Sequence, residues 1–186
     1  MNQKELYDCL EGSPIIAAVY DNLFSEAIKS PSDIIFLLGC DVFSVKEKID
    51  LAKSSGKHIF VHIDLAEGIG KDKAGVEYLA RLGADGIIST KANLIRNAKD
   101  SGLLTVQRFF VYDSHGVSNI QNVLETNSPD VIEIMPGVIG KIIEKFSYMS
   151  IPVIAGGLVE TKSEVTAALN MGAYAVSTGK KELWYI

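Results

Sequence analysis

Two short glycine-containing segments near the end of the chain have the composition of a phosphate-binding site. Ala155-Gly156-Gly157 and Ser177-Thr178-Gly179 each follow an apolar run. Glycine lets the backbone approach a ligand closely, and the amides of such turns can point at an anion. A lysine and the start of a short helix would add positive charge directly afterwards. Two ordinary tight turns are the structural alternative. The predicted phosphate grip comprises Gly156, Gly157, Ser177, Thr178, Gly179 and Lys180.

Polar residues also stand within or after the other apolar runs, where they could contact the rest of a phosphorylated ligand. These candidates are Asp21, Asp64, Glu67, Lys91, Arg108 and Glu133. Several have structural alternatives: Asp21 could cap a helix, and Glu67 could be a solvated loop charge. Glu133 lies within an otherwise apolar run, where an ionised carboxylate is costly unless it is paired. Arg108 or Lys91 could be that partner. His62 fits a hydrogen-bonded interior position as well as a ligand contact.

Eight short runs of β-branched and aliphatic residues must position these side chains. Most of them are apolar on both alternating faces, which is typical of strands covered on both sides. The runs cover residues 15–20, 33–38, 58–64, 86–90, 104–111, 131–135, 152–156 and 174–178. Helical patterns lie between them, so each run begins one βα unit.

Eight βα units predict a compact TIM-like (β/α)8 barrel, in which the C-terminal ends of all strands meet at one face. The chain has 186 residues, fewer than the usual length of about 250 for this fold, so the helices must be shortened. The last helix is the clearest case, because only residues 180–186 follow the eighth strand. A doubly wound open sheet is the alternative, but no glycine-rich fingerprint follows the first run.

Helix boundaries are indicated by short polar motifs and single glycines. Ser44 with Glu47, and Thr161 with Glu164, have the spacing of capping boxes. Left-handed C-caps are expected where a glycine follows a helical stretch. Those glycines are Gly56, Gly83, Gly102 and Gly172.

The composition predicts one domain over residues 1–186 that resides in the cytoplasm. Hydrophobic residues make up 47% of the chain, but no apolar run approaches the about 20 residues needed to cross a membrane. The N-terminus is charged where a signal peptide would be apolar. Cys9 and Cys40 lack metal-type spacing and are expected to be small buried residues. We expect no cofactor and no metal.

From the residues alone, an enzyme and a ligand sensor are both compatible with a phosphate grip. In a sugar-phosphate isomerase or aldolase, Asp64 could act as a base and Lys91 as an electrophile or Schiff-base former. Nothing in their spacing shows that the two side chains meet, and no nucleophile-elbow or zinc-protease motif is present.

Several motifs resemble the glycerol-3-phosphate-responsive antiterminator family along essentially the whole chain. They include QRFFVYDS (107–114), DVIEIMPGVIGKII (130–143), IPVIAGGLVETKSEV (151–165) and GAYAVSTGKKELW (172–184). The resemblance implies a TIM-like barrel that acts as a regulator, not an enzyme. Its effector would be glycerol 3-phosphate, and it would bind the leader mRNA of glycerol-utilisation operons to prevent premature termination. One departure is Lys180, where a polar asparagine is expected; an added cation should favour anion binding.

An RNA partner would need a local basic patch, because the net charge is −5 and the general field repels polyanions. Arg96, Lys99 and Lys181 are the candidates, and Lys91 precedes the first two at helical spacing. An exposed helix often carries such charges without binding RNA. The loops at 67–73 and 113–118 are the candidate moving parts. A homodimer would enlarge the RNA footprint, although no residue pattern demonstrates one.

Overall fold

The computed structural model describes residues 1–186 and contains a closed barrel of eight parallel strands, joined in sequence order from β1 to β8. The predicted (β/α)8 architecture is therefore confirmed. The strands are β1 Ile15–Val19, β2 Ile34–Leu37, β3 His58–His62, β4 Gly86–Ser89, β5 Leu104–Phe110, β6 Val131–Met135, β7 Val153–Gly156 and β8 Ala175–Thr178.

Seven α-helices lie in the connections between consecutive strands, and one more precedes β1. They are α1 Gln3–Gly12, α2 Asp21–Lys29, α3 Val45–Ser54, α4 Lys73–Leu82, α5 Ala92–Asp100, α6 Ser114–Thr126, α7 Gly140–Ser147 and α8 Lys162–Asn170. Two 3₁₀ helices complete the chain, Ile63–Leu65 and Lys181–Tyr185. The second stands where an eighth barrel helix would follow β8, so the expected shortening is confirmed. The first contains Asp64, which the sequence had assigned to the third strand.

Helix α1 was not predicted. Its side chains Leu6 and Leu10 are 1% and 0% exposed and belong to the cluster of apolar residues inside the barrel. Asn2 and Glu5 form a capping box at its start. The helix therefore covers the end of the barrel at which the strands begin.

Alternate residues of each strand face the barrel interior. Phe36 and Phe60 pack there at a ring-centroid distance of 5.7 Å. A Cβ at Gly86 would lie 2.5 Å from the Phe60 ring, so this glycine makes room for it. One step towards the C-terminal end, the inward positions become polar. This buried polar layer consists of His62, Arg108, Glu133 and Ser177, each at most 6% exposed.

One of the two predicted capping boxes is present. At Thr161 and Glu164, both reciprocal hydrogen bonds are formed. The prediction at Ser44 is wrong: its hydroxyl donates to Asp41 Oδ2 at 2.9 Å and does not cap α3. Asp41 Oδ1 also accepts from the amides of Phe43 and Ser44. The Ser44 hydroxyl is therefore hydrogen-bonded to Asp41, three residues upstream, instead of to the first amides of α3. The predicted left-handed glycines are confirmed at Gly56, Gly83, Gly102 and Gly172.

The two cysteines are free and differ in burial. Cys40 is buried as predicted, and burial raises the pKa of its thiol to about 11. Cys9 is only partly buried.

None of the helices combines the length and the apolarity required to span a bilayer.

Candidate functional site

A cavity of about 440 Å³ opens at the C-terminal ends of β1, β5, β6, β7 and β8. Its volume lies in the range of small-molecule sites. It brings together seven residues that the sequence nominated from separate segments: Arg108, Glu133, Gly157, Ser177, Thr178, Gly179 and Lys180. The two glycine-containing segments therefore do converge on one cavity.

Three residues that line this cavity have backbone amides without partners in the protein. The amides of Gly157, Leu158 and Gly179 donate to no backbone acceptor and to no side chain. Gly157 and Leu158 both have left-handed backbone conformations, with φ of 73° and 60°. A leucine in this region costs about 1–2 kcal/mol, and such strain is concentrated at functional sites. The turn after β7 thus presents free donors at an energetic cost, as an anion site requires.

A buried carboxylate lies at the floor of the cavity. Glu133 is 0% exposed and accepts from Arg108 Nε and from Ser177 Oγ, each at 2.5 Å. The predicted pairing partner is therefore Arg108 and not Lys91. The terminal guanidinium nitrogens of Arg108 donate to no protein group, while Arg108 lines the cavity. These two nitrogens are available to a bound anion.

Gly156 has a different role from the one predicted. It does not line the cavity. A Cβ at this position would lie 2.5 Å from Glu133 Oε1 and 2.7 Å from Ser177 Oγ. Gly156 pairs in register with Ser177, so it is the inward-facing member of β7 in the buried polar layer. The missing side chain makes room for the carboxylate, and only Gly157 faces the ligand space.

The segment after β8 is held by hydrogen bonds to Thr178. The Thr178 hydroxyl donates to the carbonyl of Val159 at 2.9 Å, and the Lys180 amide donates to the Thr178 hydroxyl at 3.1 Å. The indole Nε1 of Trp184 donates to the Thr178 carbonyl at 2.9 Å. Thr178 thus positions the two loops relative to each other. The Lys180 ammonium lies at the cavity, 3.4 Å from Glu160 Oε1.

The E-I-M-P-G motif builds one wall of the cavity. The peptide bond between Met135 and Pro136 is cis, and Met135 lines the cavity. The Gly137 amide donates to the carbonyls of Gly156 and Gly157, at 2.6 and 3.0 Å. A Cβ at Gly137 would lie 2.8 Å from the backbone of β7. The glycine therefore lets the loop after β6 lie directly on the turn that carries the free amides, and the motif itself was the only sequence signal for it.

Asp64 and Lys91 do not line this cavity. Asp64 accepts from the amide and hydroxyl of Thr90, at 2.7 and 2.8 Å, and from Ser89 Oγ at 2.8 Å. Burial alone would raise the pKa of this carboxyl, but these hydrogen bonds outweigh it and hold the pKa below its usual value. Lys91 is exposed at the residue preceding α5. Asp64 therefore anchors the end of β4.

Asp21 and Glu67 lie in a separate depression of about 410 Å³. Asp21 is the first residue of α2 and forms an ion pair with Lys48. Glu67 is exposed, and its backbone forms an isolated bridge with Asp41. Their predicted contact with the same ligand as Gly157 is therefore not supported by their positions.

His62 has unpartnered nitrogens. The side chain is 4% exposed, and neither Nδ1 nor Nε2 has a hydrogen-bond partner. Burial, with a smaller contribution from the Arg108 charge, lowers the pKa of His62 to about 4. The imidazole is therefore neutral at pH 7. Of the two predictions for His62, the hydrogen-bonded interior position is therefore not observed.

The candidate RNA-binding residues do not share a surface. Arg96 and Lys99 are exposed on α5, which packs on β4 and β5, and Lys99 donates to the carbonyl of Ser128. Lys181 begins the C-terminal 3₁₀ helix, which contacts β1 and β8 on the opposite side of the barrel. Its ammonium lies 3.9 Å from Glu26.

The fold is shared with enzymes of low sequence identity. A deoxyribose phosphate aldolase from Aeropyrum pernix superposes with a TM-score of 0.68 at 13% identity, covering 98% of this chain and 96% of its own. At that identity the likeness concerns the architecture alone.

Other proteins are similar to this chain in sequence as well as in fold. The Escherichia coli K12 protein named as uncharacterized protein YgcP is 36% identical over 185 residues, covering 96% of this chain and 95% of its own. The glycerol uptake operon antiterminator regulatory protein from Listeria monocytogenes superposes with a TM-score of 0.86 at 34% identity, covering 91% of this chain and 94% of its own. A glycerol uptake operon antiterminator-related protein from Thermotoga maritima superposes with a TM-score of 0.84 at 35% identity, covering 92% of this chain and 98% of its own.

A family model described as glycerol-3-phosphate responsive antiterminator matches residues 15–184, nearly the whole chain. An antiterminator is a regulator of transcription. The chain belongs to the glycerol-3-phosphate responsive antiterminator family.

Proposed function

We propose that this protein binds glycerol 3-phosphate in the cavity at the mouth of the barrel and, in that state, binds leader RNA of a glycerol-utilisation operon. Binding to the leader RNA prevents premature termination of transcription. The protein would act in the cytoplasm. The observation that carries the proposal is the convergence of unpartnered donors in one cavity. These are the terminal nitrogens of Arg108 and the amides of Gly157, Leu158 and Gly179.

The phosphate would lie against the amides of Gly157 and Gly179, with Lys180 as an additional cation. Donors fixed by the backbone bind an anion without losing side-chain freedom. The glycerol hydroxyls would lie towards Glu133 and Ser177. A carboxylate accepts about four hydrogen bonds, and Glu133 accepts one each from Arg108 and Ser177. It can therefore accept from a hydroxyl as well.

A regulator without catalysis is favoured by the condition of the candidate catalytic residues. The carboxylate of Asp64 accepts three hydrogen bonds that lower its pKa, so it is a poor base. Lys91 is exposed outside the cavity, whereas a Schiff-base lysine must reach the substrate. The isomerase or aldolase alternative thus has no supporting pair of residues.

The effector can favour RNA binding only through linkage. Glycerol 3-phosphate must bind the RNA-competent conformation more tightly, and each tenfold preference corresponds to about 1.4 kcal/mol. Of the two segments proposed to move, residues 113–118 form the start of α6 and its cap, and their hydrogen bonds stay within the segment and the helix. The segment at 67–73 is tied to the β2–α3 connection through hydrogen bonds between Glu67, Cys40 and Val42. The segment after β5 is therefore the better candidate.

RNA affinity should depend strongly on salt. The net charge of −5 gives no general attraction, so binding must rest on local contacts. With four phosphate contacts to single-stranded RNA, the log–log slope against salt would be roughly −3. A homodimer would double the contact surface.

A leader-RNA binding assay with and without glycerol 3-phosphate tests the proposal. We expect tighter RNA binding with the effector, and thermal stabilisation by glycerol 3-phosphate that exceeds stabilisation by glycerol or by inorganic phosphate alone. Turnover of a sugar phosphate together with RNA binding that ignores the effector would contradict the proposal.

A further inference from the structure

A second cavity of about 560 Å³ lies between the connections that follow β5 and β6. Tyr112 lines it with a side chain that is 87% exposed. Lys141 and Lys145 line it from α7. The family resemblance assigned no role to any of these three residues.

Two exposed aromatic rings lie parallel to each other at this place, and one of them, Tyr112, lines the cavity. The rings of Phe110 and Tyr112 are stacked, with centroids 6.2 Å apart and an interplanar angle of 11°. Phe110 is itself 45% exposed, whereas the neighbouring Phe109 is 7% exposed and packs in the core. Large exposed aromatic rings leave apolar area in water unless a partner covers them. A nucleobase stacks well on such a surface.

The charge around these rings is positive, against the sign of the whole chain. Lys141 and Lys145 are one helical turn apart, and neither takes part in the ion pairs that hold other lysines. Asp113 is the one acidic residue of the cavity. Its carboxylate accepts from the Gly116 amide at 3.0 Å and caps α6. The cavity thus has two ammonium groups without ion pairs and one carboxylate that is already hydrogen-bonded. This excess of positive charge favours a polyanion.

We infer that Phe110, Tyr112, Lys141 and Lys145 form the surface that binds single-stranded RNA, with a base on Tyr112 and backbone phosphates on the two lysines. This inference rests on the proposed function, which supplies RNA as the partner. It replaces Arg96, Lys99 and Lys181, which lie on opposite sides of the barrel. Aromatic rings next to lysines match a stacked and charged single strand better than they match an acidic protein surface.

The same elements connect this surface to the effector cavity. Arg108 and Phe110 are alternate residues of β5, so the residue at the effector cavity is followed two positions later by the stacked pair. The loop from Glu133 to α7 passes through Gly137, whose amide donates to the Gly157 carbonyl. An effector that contacts Arg108 and the turn at Gly157 therefore orders both sides of the RNA surface. Linkage then requires that RNA raise effector affinity by the same factor.

Substitutions on this surface test the inference in the full-length protein. With glycerol 3-phosphate present, Tyr112→Ala should weaken leader-RNA binding about tenfold, because it removes one base-stacking contact. The double substitution Lys141→Gln with Lys145→Gln should reduce the log–log salt slope by about 1.4. Both variants should keep the thermal stabilisation that glycerol 3-phosphate gives the wild type.

Matched controls lie at the opposite end of the barrel. Tyr148 is 83% exposed at the end of α7, and Tyr148→Ala should leave RNA affinity unchanged. Lys4→Gln with Lys29→Gln removes the same charge at a distance and should leave the salt slope unchanged. Wild-type affinity in the Tyr112 and lysine variants would overturn the inference while leaving the proposed function standing. A wild type that binds no leader RNA at all would overturn both. If the variants instead change the oligomeric state in sedimentation, the surface is an interface between copies and the inference is wrong.

Discussion

The guanidinium of Arg108 and the carboxylate of Glu133 form an ion pair inside the barrel, with Nε 2.5 Å from Oε2 and side chains 7% and 0% exposed. The pair lies on neighbouring strands in register, with Arg108 opposite Glu133. It places a positive charge at the floor of the cavity without leaving a negative charge uncompensated.

Removal of the arginine should destabilise the protein strongly. In Arg108→Met, the Glu133 carboxylate remains buried without its cation, which should lower the free energy of unfolding by about 3–5 kcal/mol at pH 7. Urea denaturation at pH 7 measures this. A loss below 1 kcal/mol at pH 7 would mean that water reaches the carboxylate.

Neutralisation of the carboxylate should alter ligand selectivity. Glu133→Gln keeps an acceptor for Arg108 but removes a negative charge from the cavity. Inorganic phosphate should therefore bind more tightly, while the preference for glycerol 3-phosphate over phosphate should fall about tenfold, because a hydroxyl loses a charged acceptor. Calorimetric titration with both ligands gives the ratio. Glu160→Gln is the control, since it lies at the rim and pairs with Lys180. An unchanged ratio in Glu133→Gln would place the hydroxyls elsewhere.

The two adjacent glycines should respond differently to alanine. Gly156→Ala brings a methyl group 2.5 Å from Glu133 Oε1, and such overpacking costs about 1–3 kcal/mol even without ligand. Gly157→Ala costs about 1 kcal/mol, because its φ of 73° is left-handed, and its nearest contact is the flexible end of Met135. Thermal denaturation with and without glycerol 3-phosphate separates the two. A stable Gly156→Ala that has lost only the ligand response would show that Gly156 contacts phosphate after all.

His62 should make the protein less stable as the pH falls from about 6.5 to 4. Its pKa in the folded state is about 4, against about 6.5 in the unfolded chain, so the unfolded state binds more protons in this window. The contribution of His62 is present above pH 6.5 and should decrease by about 2 kcal/mol by pH 5. Denaturant titrations of the wild type and of His62→Gln measure it. The exposed His115, changed to Gln, should keep the wild-type profile. Parallel profiles for the wild type and His62→Gln would contradict the assignment.

Trp184 is the only tryptophan of the chain and should report on the effector site. Its indole holds the Thr178 carbonyl from a 2% exposed position. Trp184→Phe leaves that carbonyl without its donor, which should cost about 1–2 kcal/mol and weaken effector binding by loosening Gly179 and Lys180. In the wild type, glycerol 3-phosphate should change the indole emission, while glycerol should not. Stabilisation by the effector without any change in emission would separate this segment from the site.

The barrel and the phosphate segments could be predicted from the sequence because their signals are local. Strands covered on both faces are apolar at most positions, and eight such runs at regular spacing leave few topologies. Thr161 with Glu164, and the glycines after helices, act over three or four residues. Helix α1 could not be predicted, because Leu6 and Leu10 are its only buried residues. One apolar pair at a spacing of four in a charged segment is too weak a pattern to indicate a helix.

Tertiary structure alone decided which polar residues share the cavity. Gly156 and Gly157 look equivalent in the sequence, but Gly156 ends β7 in register with Ser177, whereas Gly157 lies in the left-handed turn that lines the cavity. Asp64, Lys91 and Arg108 all come from strand ends, yet only Arg108 reaches the cavity, since its strand lies next to β6 and its side chain faces inward. Residue types and spacing along the chain report local geometry, whereas distances across a closed barrel depend on how all eight strands are staggered.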